Sequence, residues 1–389
     1  MRPNPFRDHW LLDPDVIFLN HGSFGACPQP VLMAQQAWRD RLERQPLKFL
    51  GREIEGLLDT ARQALAAFVG ANPAHLALVP NATTGVNAVL RSLQFQPGDQ
   101  LLTTNQEYNA CRNALNFVAE RWGAEVVVAD IPFPLTGPDQ IRQAVLQKVT
   151  ACTRLVLIDH VISQTAVVLP IADLVADLTA QGVDTLVDGA HAPGMIPLQL
   201  EQIGAAYYTG NCHKWLCAPK GAAFLYVRGD RQSQIHPLVI SHGANDPRLE
   251  RSRFHLEFDW MGTDDPTAYL AVPTALEFMG ALLPGGWPAL MQHNHQLAIA
   301  ARHHLCDRLH ISPPCPDSMV GAMATIPLPR GNASQLYQTL VEQFSIEVPI
   351  IPFPQNPHRL VRISAQIYNS LEEYHVLAKV LSQLLQETA

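Results

Sequence analysis

A chain of 389 residues is longer than one compact core usually supports, so the length predicts two domains. Hydrophobic residues make up 47% and charged residues 16% of the sequence, which is typical of a globular chain rather than of a disordered or membrane chain. The net charge of -8, with no long run of lysine or arginine, argues against nucleic acid or an anionic membrane surface as the main partner and favours a small-molecule ligand.

Neither a targeting segment nor a disulfide framework is visible in the sequence. The opening MRPNPFRDHWLLDPDVIFLN places charges and prolines where a signal peptide needs a continuous apolar core. The best later apolar run is broken by Asp159, His160 and Gln164, so no membrane-spanning segment is predicted. Seven cysteines are scattered without a CxxC pair, a pattern typical of reduced thiols, and we therefore expect a cytoplasmic protein.

Residues 54 to 260 alternate between helical periodicity and short apolar runs. The runs predicted as strands are 76–80, 100–104, 125–130, 154–159, 184–188 and 222–227. The stretches predicted as helices are 56–69, 83–93, 109–122, 139–149 and 171–180. This alternation is typical of βαβ units and predicts an α/β fold with a mainly parallel sheet, which binds ligands at the carboxyl ends of its strands.

The pattern changes after Pro266. A long apolar stretch (267–283) is followed by a Pro/Gly break at LLPGGWP, a predicted helix at 289–309 and predicted strands near 320–328 and 360–364. We interpret residues 20–285 as a large domain and 286–389 as a smaller α/β domain. The segment 1–19 has few apolar positions of its own, so we expect it to pack with the smaller domain.

The segment VPNATTGVNAVL (79–90) combines a predicted strand, a turn of small polar residues and an apolar-periodic helix. A helix N-terminus offers unpaired N–H groups and a positive dipole end to a phosphate. Ala82, Thr83 and Thr84 are therefore candidates for binding a phosphate group. The alternative is that Asn81 or Thr83 only caps the helix.

The segment DTLVDGAHAPG places Asp188 at the carboxyl end of an apolar run, where a carboxylate needs a cationic partner. A protonated pyridine nitrogen is such a partner, and the bond would keep the ring electron-withdrawing. His191 could reach a hydroxyl group of the same ring. The alternatives are that Asp188 caps the following turn and that His191 is an ordinary satisfied polar residue.

The segment GNCHKWLCAPKG (210–221) puts Lys214 in an apolar, aromatic neighbourhood. Desolvation lowers the pKa of a lysine, which suits an amine that must be unprotonated to form a Schiff base. Taken alone, Lys214 could equally be a surface lysine with a buried stem. Lys220 is the local rival.

The order of these motifs resembles the class V aminotransferase superfamily, closest to the bacterial isopenicillin N epimerase-like group. The resemblance covers nearly the whole chain and rests on LLDPDVIFLNHGSFGACP, NATTGVN, QEYNACRNAL, DGAHAPG, YYTGNCHKWLCAPKG, WMGTDDPTAYLAVP and RISAQIYN. It implies the aspartate aminotransferase-like fold of pyridoxal 5'-phosphate (PLP) enzymes. It also implies that the cofactor is bound to Lys214 as a Schiff base, with Asp188 beneath the pyridine nitrogen.

Further roles follow from the resemblance. Tyr108 matches an aromatic or histidine position that stacks on the cofactor ring, which suits a tyrosine face. His213 matches a residue that helps to hold the phosphate. Gly262 and Thr263 match a motif that reaches the phosphate from the other subunit, which implies a homodimer.

The substrate side is implied in the same way. Arg362 matches the arginine that grips the substrate carboxylate, a task suited to a bidentate guanidinium, and Arg359 is a nearby competitor. The residues that match the arm lining the substrate pocket are Asn20, His21 and Gly22. The residues that match the segment facing the ring hydroxyl are Ser163 and Gln164, although SQTA departs from the commoner polar-Gly pattern there.

Three other kinds of site fit the sequence poorly. HGSFG lacks the first glycine of a serine-nucleophile turn, because His21 stands there. GNCHKW has too few residues between its glycine and lysine for a phosphate-binding loop of an ATPase. The histidines of the predicted helix at 293, 295, 303 and 304 have no cysteine or acidic partner at ligand spacing, so no metal site is predicted.

The chemistry of this cofactor leaves several reactions open. A cysteine desulfurase needs a persulfide-forming cysteine before the carboxylate-binding arginine, and no cysteine lies between Cys315 and Arg362. We therefore expect an epimerase acting at the α-carbon of an amino acid or peptide-like amine. The alternative is a C-S lyase acting on a cysteine derivative; an aminotransferase or a catalytically inactive binding protein of the same fold is a weaker alternative.

Overall fold

The computed structural model describes residues 4–386. The strands in chain order are β1 (Ile17–Phe18), β2 (Leu76–Val79), β3 (Gln100–Thr104), β4 (Glu125–Ala129), β5 (Thr153–Asp159), β6 (Asp184–Asp188), β7 (Tyr207–Asn211), β8 (Ala223–Val227), β9 (Met323–Leu328), β10 (Ile346–Glu347), β11 (Ile350–Pro352) and β12 (Arg359–Ser364). The α-helices are α1 (His21–Phe24), α2 (Gln29–Arg44), α3 (Pro46–Lys48), α4 (Ile54–Val69), α5 (Ala82–Ser92), α6 (Asn109–Trp122), α7 (Asp139–Leu146), α8 (Ile171–Ala180), α9 (Leu200–Ile203), α10 (Arg253–Phe258), α11 (Thr267–Leu270), α12 (Val272–Ala281), α13 (Gly286–Leu309), α14 (Ala333–Phe344) and α15 (Leu371–Gln386).

Seven strands form the central sheet, in the order β2-β8-β7-β6-β5-β3-β4. Strand β8 runs antiparallel to both of its neighbours, and the other neighbouring pairs are parallel. The predicted mainly parallel α/β sheet is therefore confirmed. Strands β2, β7 and β8 are buried along their whole length, as expected for strands covered on both faces.

Strand β7 was missed in the sequence, where the prediction passed directly from 184–188 to 222–227. Its segment YYTGN ends in glycine and asparagine, two residues that disfavour strands. The tertiary structure requires the glycine, because a Cβ atom at Gly210 would lie 2.7 Å from the ring of Phe224 and from Pro193. Packing therefore overrides local propensity in the strand that leads to Lys214.

The carboxyl ends of β2, β3, β5, β6 and β7 lie at one edge of the sheet, because these strands run in the same direction. Helix α5 begins at this edge, immediately after β2. It packs so closely on β7 that a Cβ atom at Gly85 would lie 2.6 Å from Oγ1 of Thr209. The start of α5 is thus held beside the strand that carries the lysine loop.

The C-terminal part contains an antiparallel sheet in the order β11-β12-β9, with α13 and α15 packed together. The early strand β1 pairs with β10, and Nδ2 of Asn4 donates to the carbonyl oxygens of Ile367 and Asn369. Residues 1–3 of the predicted opening segment and 387–389 of the predicted smaller domain lie outside the described residues. The domain boundaries stay a prediction.

Within residues 4–386 no single helix is both long and apolar enough to cross a membrane, although the bent pair Thr267–Ala281 and Gly286–Leu309 reaches that length and composition together.

Candidate functional site

Lys214 lies in a turn just beyond the carboxyl end of β7, at the edge where the other strands also end. The turn is closed by two backbone bonds, in which the N–H of Cys217 donates to the oxygen of Lys214 and that of Ala218 to the oxygen of Cys212. A cavity of about 150 Å³ opens above the lysine. Its lining residues are Ser23, Phe24, Asn81, Ala82, Thr83, Tyr108, Asp159, Ser163, Asp188, Ala190, His191, Asn211, His213 and Lys214.

Two other loops approach the lysine turn so closely that only glycine fits. A Cβ atom at Gly25 would lie 2.0 Å from the carbonyl oxygen of His213 and 2.8 Å from Cα of Lys214. A Cβ atom at Gly194 would lie 2.6 Å from the backbone nitrogen of Leu216. Both glycines have positive φ, +69° and +86°, a conformation that residues with a side chain rarely adopt. The lysine turn is therefore clamped from two sides.

The amine of Lys214 is buried, so its charged form is poorly solvated. Burial lowers its pKa to about 8, and the positive charge of Arg362 adds to that effect, whereas Asp188 and Asp159 oppose it. Its Nζ atom lies 3.1 Å from Nε2 of His191. At pH 7 roughly a tenth of an amine with this pKa is neutral, far more than of an ordinary lysine, and the neutral form is the one that bonds to a carbonyl carbon.

Asp188 ends β6 and is 2% exposed. Its Oδ1 accepts the N–H of Ala190 at 2.9 Å, and its Oδ2 accepts the thiol of Cys111 at 3.0 Å. Burial raises the pKa of this carboxyl, and the charge of Lys214 works in the opposite direction. A buried carboxylate of this kind is stabilised by a cation placed in the adjoining cavity.

Asp159, which the sequence analysis did not select, lies beside Asp188. The two residues are register partners at the ends of β5 and β6. Oδ2 of Asp159 is buried without a hydrogen-bond partner, and so is Oε1 of Glu107. Burial, followed by the charges of the neighbouring carboxyl groups, raises the pKa values of Asp159 and Glu107 well above their usual range. Asp159 and Asp188 line the cavity and form, with Glu107, a cluster of buried carboxyl groups.

The N-terminus of α5 forms another wall. Asn81 caps the helix by accepting the N–H of Thr84 at 2.8 Å, and Oδ1 of Asn211 accepts the N–H of Ala82 at 2.8 Å. The N–H of Thr83 has no partner within residues 4–386. Thr83 therefore offers a free backbone donor at a positive helix end, whereas Thr84 lines a different cavity.

The structure places Arg362, and not Arg359, against two residues that line the cavity, Ser23 and Ser163. The guanidinium of Arg362 donates to the carbonyl oxygen of Ser163 and, at 2.9 Å, to Oγ of Ser23. Its Nε is buried without a partner. Arg359 instead donates to the carbonyl oxygens of Pro329 and Asn332. The two arginines are an odd number of positions apart on β12, so their side chains leave opposite faces of the sheet.

The N-terminal arm reaches the cavity through the two residues that follow the predicted ones. Ser23 and Phe24 line the cavity, whereas Asn20, His21 and Gly22 do not. His21 is fully buried beneath the lysine turn, where its Nε2 lies 3.0 Å from the carbonyl oxygen of Lys214. The arm therefore supports the lysine turn from below.

The remaining predicted positions divide between two cavities. Tyr108, Ser163 and His213 line the cavity above Lys214, and Tyr108 is 44% exposed. Gln164 is not among its lining residues. Gly262 and Thr263 line a neighbouring open cavity on the surface, together with Thr84.

Several lining residues were not selected from the sequence. They are Ser23, Phe24, Asn81, Asp159, Ala190 and Asn211. Asp159 carries the same signal as Asp188, a carboxylate at the end of an apolar run, and could have been found by the same reasoning. Asn211 could not be found without recognising β7.

The residues around the cavity fit PLP, the cofactor that the resemblance implies. Lys214 supplies an amine for its carbonyl group. The buried Asp188, beside the unpartnered oxygen of Asp159, supplies negative charge for a ring nitrogen. The free N–H of Thr83 and the helix end suit a phosphate. This donor set matches the three polar parts of the cofactor.

Comparisons with known proteins point in the same direction. The family model described as aminotransferase class-V matches residues 26–377. An isopenicillin N epimerase of Streptomyces clavuligerus is 36% identical over 396 residues, covering 98% of this chain and 98% of that protein. A probable chloroplastic L-cysteine desulfhydrase of Arabidopsis thaliana is 32% identical over 407 residues, covering 96% of this chain and 84% of that protein.

Solved structures show the same overall arrangement. A complex of the cystine C-S lyase C-DES with its reaction product, cysteine persulfide, has a TM-score of 0.83 at 23% sequence identity. The match covers 95% of this chain and 98% of that one. The two chains therefore share a fold.

Proposed function

We propose, from the premise that this chain belongs to the class-V aminotransferase family, that it epimerises the α-carbon of an amino acid or of a peptide-like amine. The family and the aspartate aminotransferase-like fold predicted from the sequence are confirmed, and the cofactor is PLP. The observation that carries the specific reaction is the 36% identity to isopenicillin N epimerase along 98% of both chains.

The site supplies the groups that such a reaction needs. When bound, the cofactor withdraws electrons from the substrate α-carbon. Lys214 is the amine that holds the cofactor and exchanges a proton with that carbon, and Asp188 keeps the ring nitrogen charged. Arg362, held by its hydrogen bonds to Ser23 and Ser163, would orient the substrate carboxylate.

The cysteines disfavour a desulfurase that stores sulfur on its own thiol. All seven lie within the described residues, and none lines the cavity above Lys214. Cys111, which is nearest to the carboxyl cluster, is fully buried, and burial together with Asp188 and Glu107 raises its pKa far above the usual value. A thiol held protonated is a poor nucleophile.

A C-S lyase acting on a cysteine derivative is the second candidate. Its support is the 32% identity to the plant desulfhydrase over 96% of this chain. Elimination and epimerisation both begin with removal of the α-proton, so the same Lys214, Asp188 and Arg362 would serve either reaction. The difference lies in whether the carbanion loses a β-substituent or regains a proton.

One experiment separates these reactions. The purified protein is incubated in D₂O with single enantiomers of amino acids, cysteine derivatives and small peptides, and the Lys214→Ala variant serves as the background control. Epimerisation predicts deuterium at the α-carbon and the appearance of the opposite enantiomer on a chiral column. Release of pyruvate from cysteine or cystine without conversion of any enantiomer would establish the lyase and overturn the epimerase.

We also propose that the protein works as a homodimer. Leu238, Val239 and Ile240 are 42%, 52% and 63% exposed, and two open cavities of about 840 and 360 Å³ adjoin Thr263. Contiguous apolar surface of this kind is typical of a protein interface. In the dimer, Gly262 and Thr263 of one subunit would complete the phosphate site of the other.

Subunit mixing tests this arrangement. Lys214→Ala subunits and subunits carrying a bulky residue at Thr263 are each expected to be inactive. A C2 heterodimer contains one site with both lesions and one with neither, so mixing should restore up to about half of the wild-type activity per heterodimer. Two differently sized affinity tags report subunit exchange, and exchange without any return of activity would place the role of Thr263 within its own chain.

A further inference from the structure

A buried indole, an imidazole and the lysine amine lie in a row beneath the cavity. Nε1 of Trp215 donates to Nδ1 of His191 at 3.5 Å, and Nε2 of His191 lies 3.1 Å from Nζ of Lys214. We propose that Trp215 is a positioning residue that fixes which nitrogen of His191 carries the proton, so that His191 donates to Lys214 and holds it as a neutral amine. The inference rests on the proposed role of Lys214 and adds a device that prepares it.

Trp215 is fixed in place before any ligand binds. Its side chain is 1% exposed, and its ring lies 4.9 Å from the ring of the buried His21. An indole N–H only donates hydrogen bonds, and Nδ1 of His191 is the acceptor that it has within residues 4–386. The direction of this first hydrogen bond is therefore set by the chemistry of tryptophan.

The second hydrogen bond follows from the first. His191 is 2% exposed, and burial, the largest cause, lowers its pKa well below the usual value, so the ring is neutral. A neutral imidazole has one donor and one acceptor nitrogen. Because Nδ1 accepts from Trp215, Nε2 carries the proton and donates to Nζ. An ammonium group has no lone pair to accept that bond, so the bond forms with the neutral amine and favours that form of Lys214.

The charges of the other groups that face Lys214 and His191 have opposite effects on the pKa of Lys214, and these effects partly cancel. The carboxyl and thiol groups that favour a charged Lys214 are Asp188, Asp159 and Cys111. Arg362 opposes the charge. The remaining rings near His191 are those of His21 and His213, whose pKa values are lowered by burial to about 3 and about 4. The directional contact from Trp215 through His191 therefore acts with burial, the largest cause of the lowered pKa, to favour the neutral form of Lys214.

Loss of the indole N–H would release this constraint. His191 could then carry its proton on Nδ1 and accept a hydrogen bond from an ammonium group at Nε2, which stabilises charged Lys214. The pKa of the amine would rise, so less of it would be neutral at a given pH. Only the neutral amine condenses with an aldehyde, in a reaction that joins nitrogen to carbon and releases one water.

The test compares the full-length wild-type apoprotein with Trp215→Phe. Each is mixed with PLP across a pH series, trapped with borohydride, and the labelled fraction is measured by mass spectrometry over time. Capture should have its pH midpoint about one unit higher in Trp215→Phe, which makes it roughly tenfold slower at neutral pH. The matched control is Trp287→Phe. This variant loses the hydrogen bond of 2.9 Å that Nε1 of Trp287 donates to the carbonyl oxygen of Leu276, outside the cavity.

An unchanged midpoint in Trp215→Phe would overturn the proposal. If that variant does not fold, ¹⁵N NMR of the unaltered apoprotein decides, because the proposal requires the Nε2–H tautomer of His191 and the Nδ1–H tautomer contradicts it. The NMR measurement of the His191 tautomer does not depend on whether Lys214 binds the cofactor. Failure of the lysine assignment itself would appear separately, as borohydride-trapped label on another residue.

Discussion

Replacement of Lys214 by alanine should abolish covalent attachment of the cofactor and lower turnover by roughly 10⁴- to 10⁶-fold, the order of loss expected when the residue responsible for covalent catalysis is removed. The physical reason is that no other lysine within residues 4–386 lines the cavity. Borohydride reduction followed by peptide mapping measures the attachment, and steady-state assays measure the turnover.

Lys220 provides the matched control in the same loop. It is exposed, and its Nζ donates to the carbonyl oxygen of Gly25 at 2.9 Å. Lys220→Ala should keep the reduced cofactor on Lys214 and most of the activity. A reduced adduct that persists in Lys214→Ala and maps to Lys220 would overturn the central assignment.

The Asp188→Asn variant should bind the cofactor yet lose most of its activity. The amide is neutral and cannot hold a proton on the ring nitrogen by charge, so the rate should fall by roughly 30- to 1000-fold, equivalent to about 2–4 kcal/mol of transition-state stabilisation. Cofactor content is measured by absorbance after release in alkali, and kcat by the assay that detects the reaction.

Asp184 at the other end of β6 controls for general damage to this strand. It forms an ion pair with Arg231 at 2.8 Å, away from the cavity. Asp184→Asn should change the melting temperature without a comparable loss of kcat. If Asp188→Asn keeps a near wild-type rate while its cofactor content is normal, Asp188 has no role in the chemistry.

The central sheet could be predicted from the sequence because most of its strands are continuous apolar runs. The predicted strands at 100–104 and 184–188 coincide with β3 and β6, and the others agree within one or two residues at their ends. The pattern works because a strand covered on both faces has no polar positions to obscure it. Strand β7 was not predicted because it contains Gly210, a residue type that disfavours strands. The glycine is required there by its close contact with Phe224 on the neighbouring strand.

The same division applies to the site. Lys214 and Asp188 could be identified because each is an ionisable residue in an apolar segment, where burial without a partner is unfavourable. The choice between Arg362 and Arg359 needed the structure, since both lie in the same sequence context. They differ in that their side chains leave opposite faces of β12. His21 looked like a pocket residue in the FLNHGSFG motif, but its ring lies beneath the lysine turn.

The sequence by itself determined the family, the fold class and the cofactor, and it singled out the lysine–aspartate pair, because each rests on local composition or on the order of motifs along the chain. The tertiary structure decided which residues surround that pair. It placed Asp159 beside Asp188 through strand register, turned Arg362 towards the cavity, and aligned Trp215, His191 and Lys214 in one hydrogen-bonded row. Such contacts join residues from separate elements, and their geometry depends on packing that no local pattern in the chain encodes.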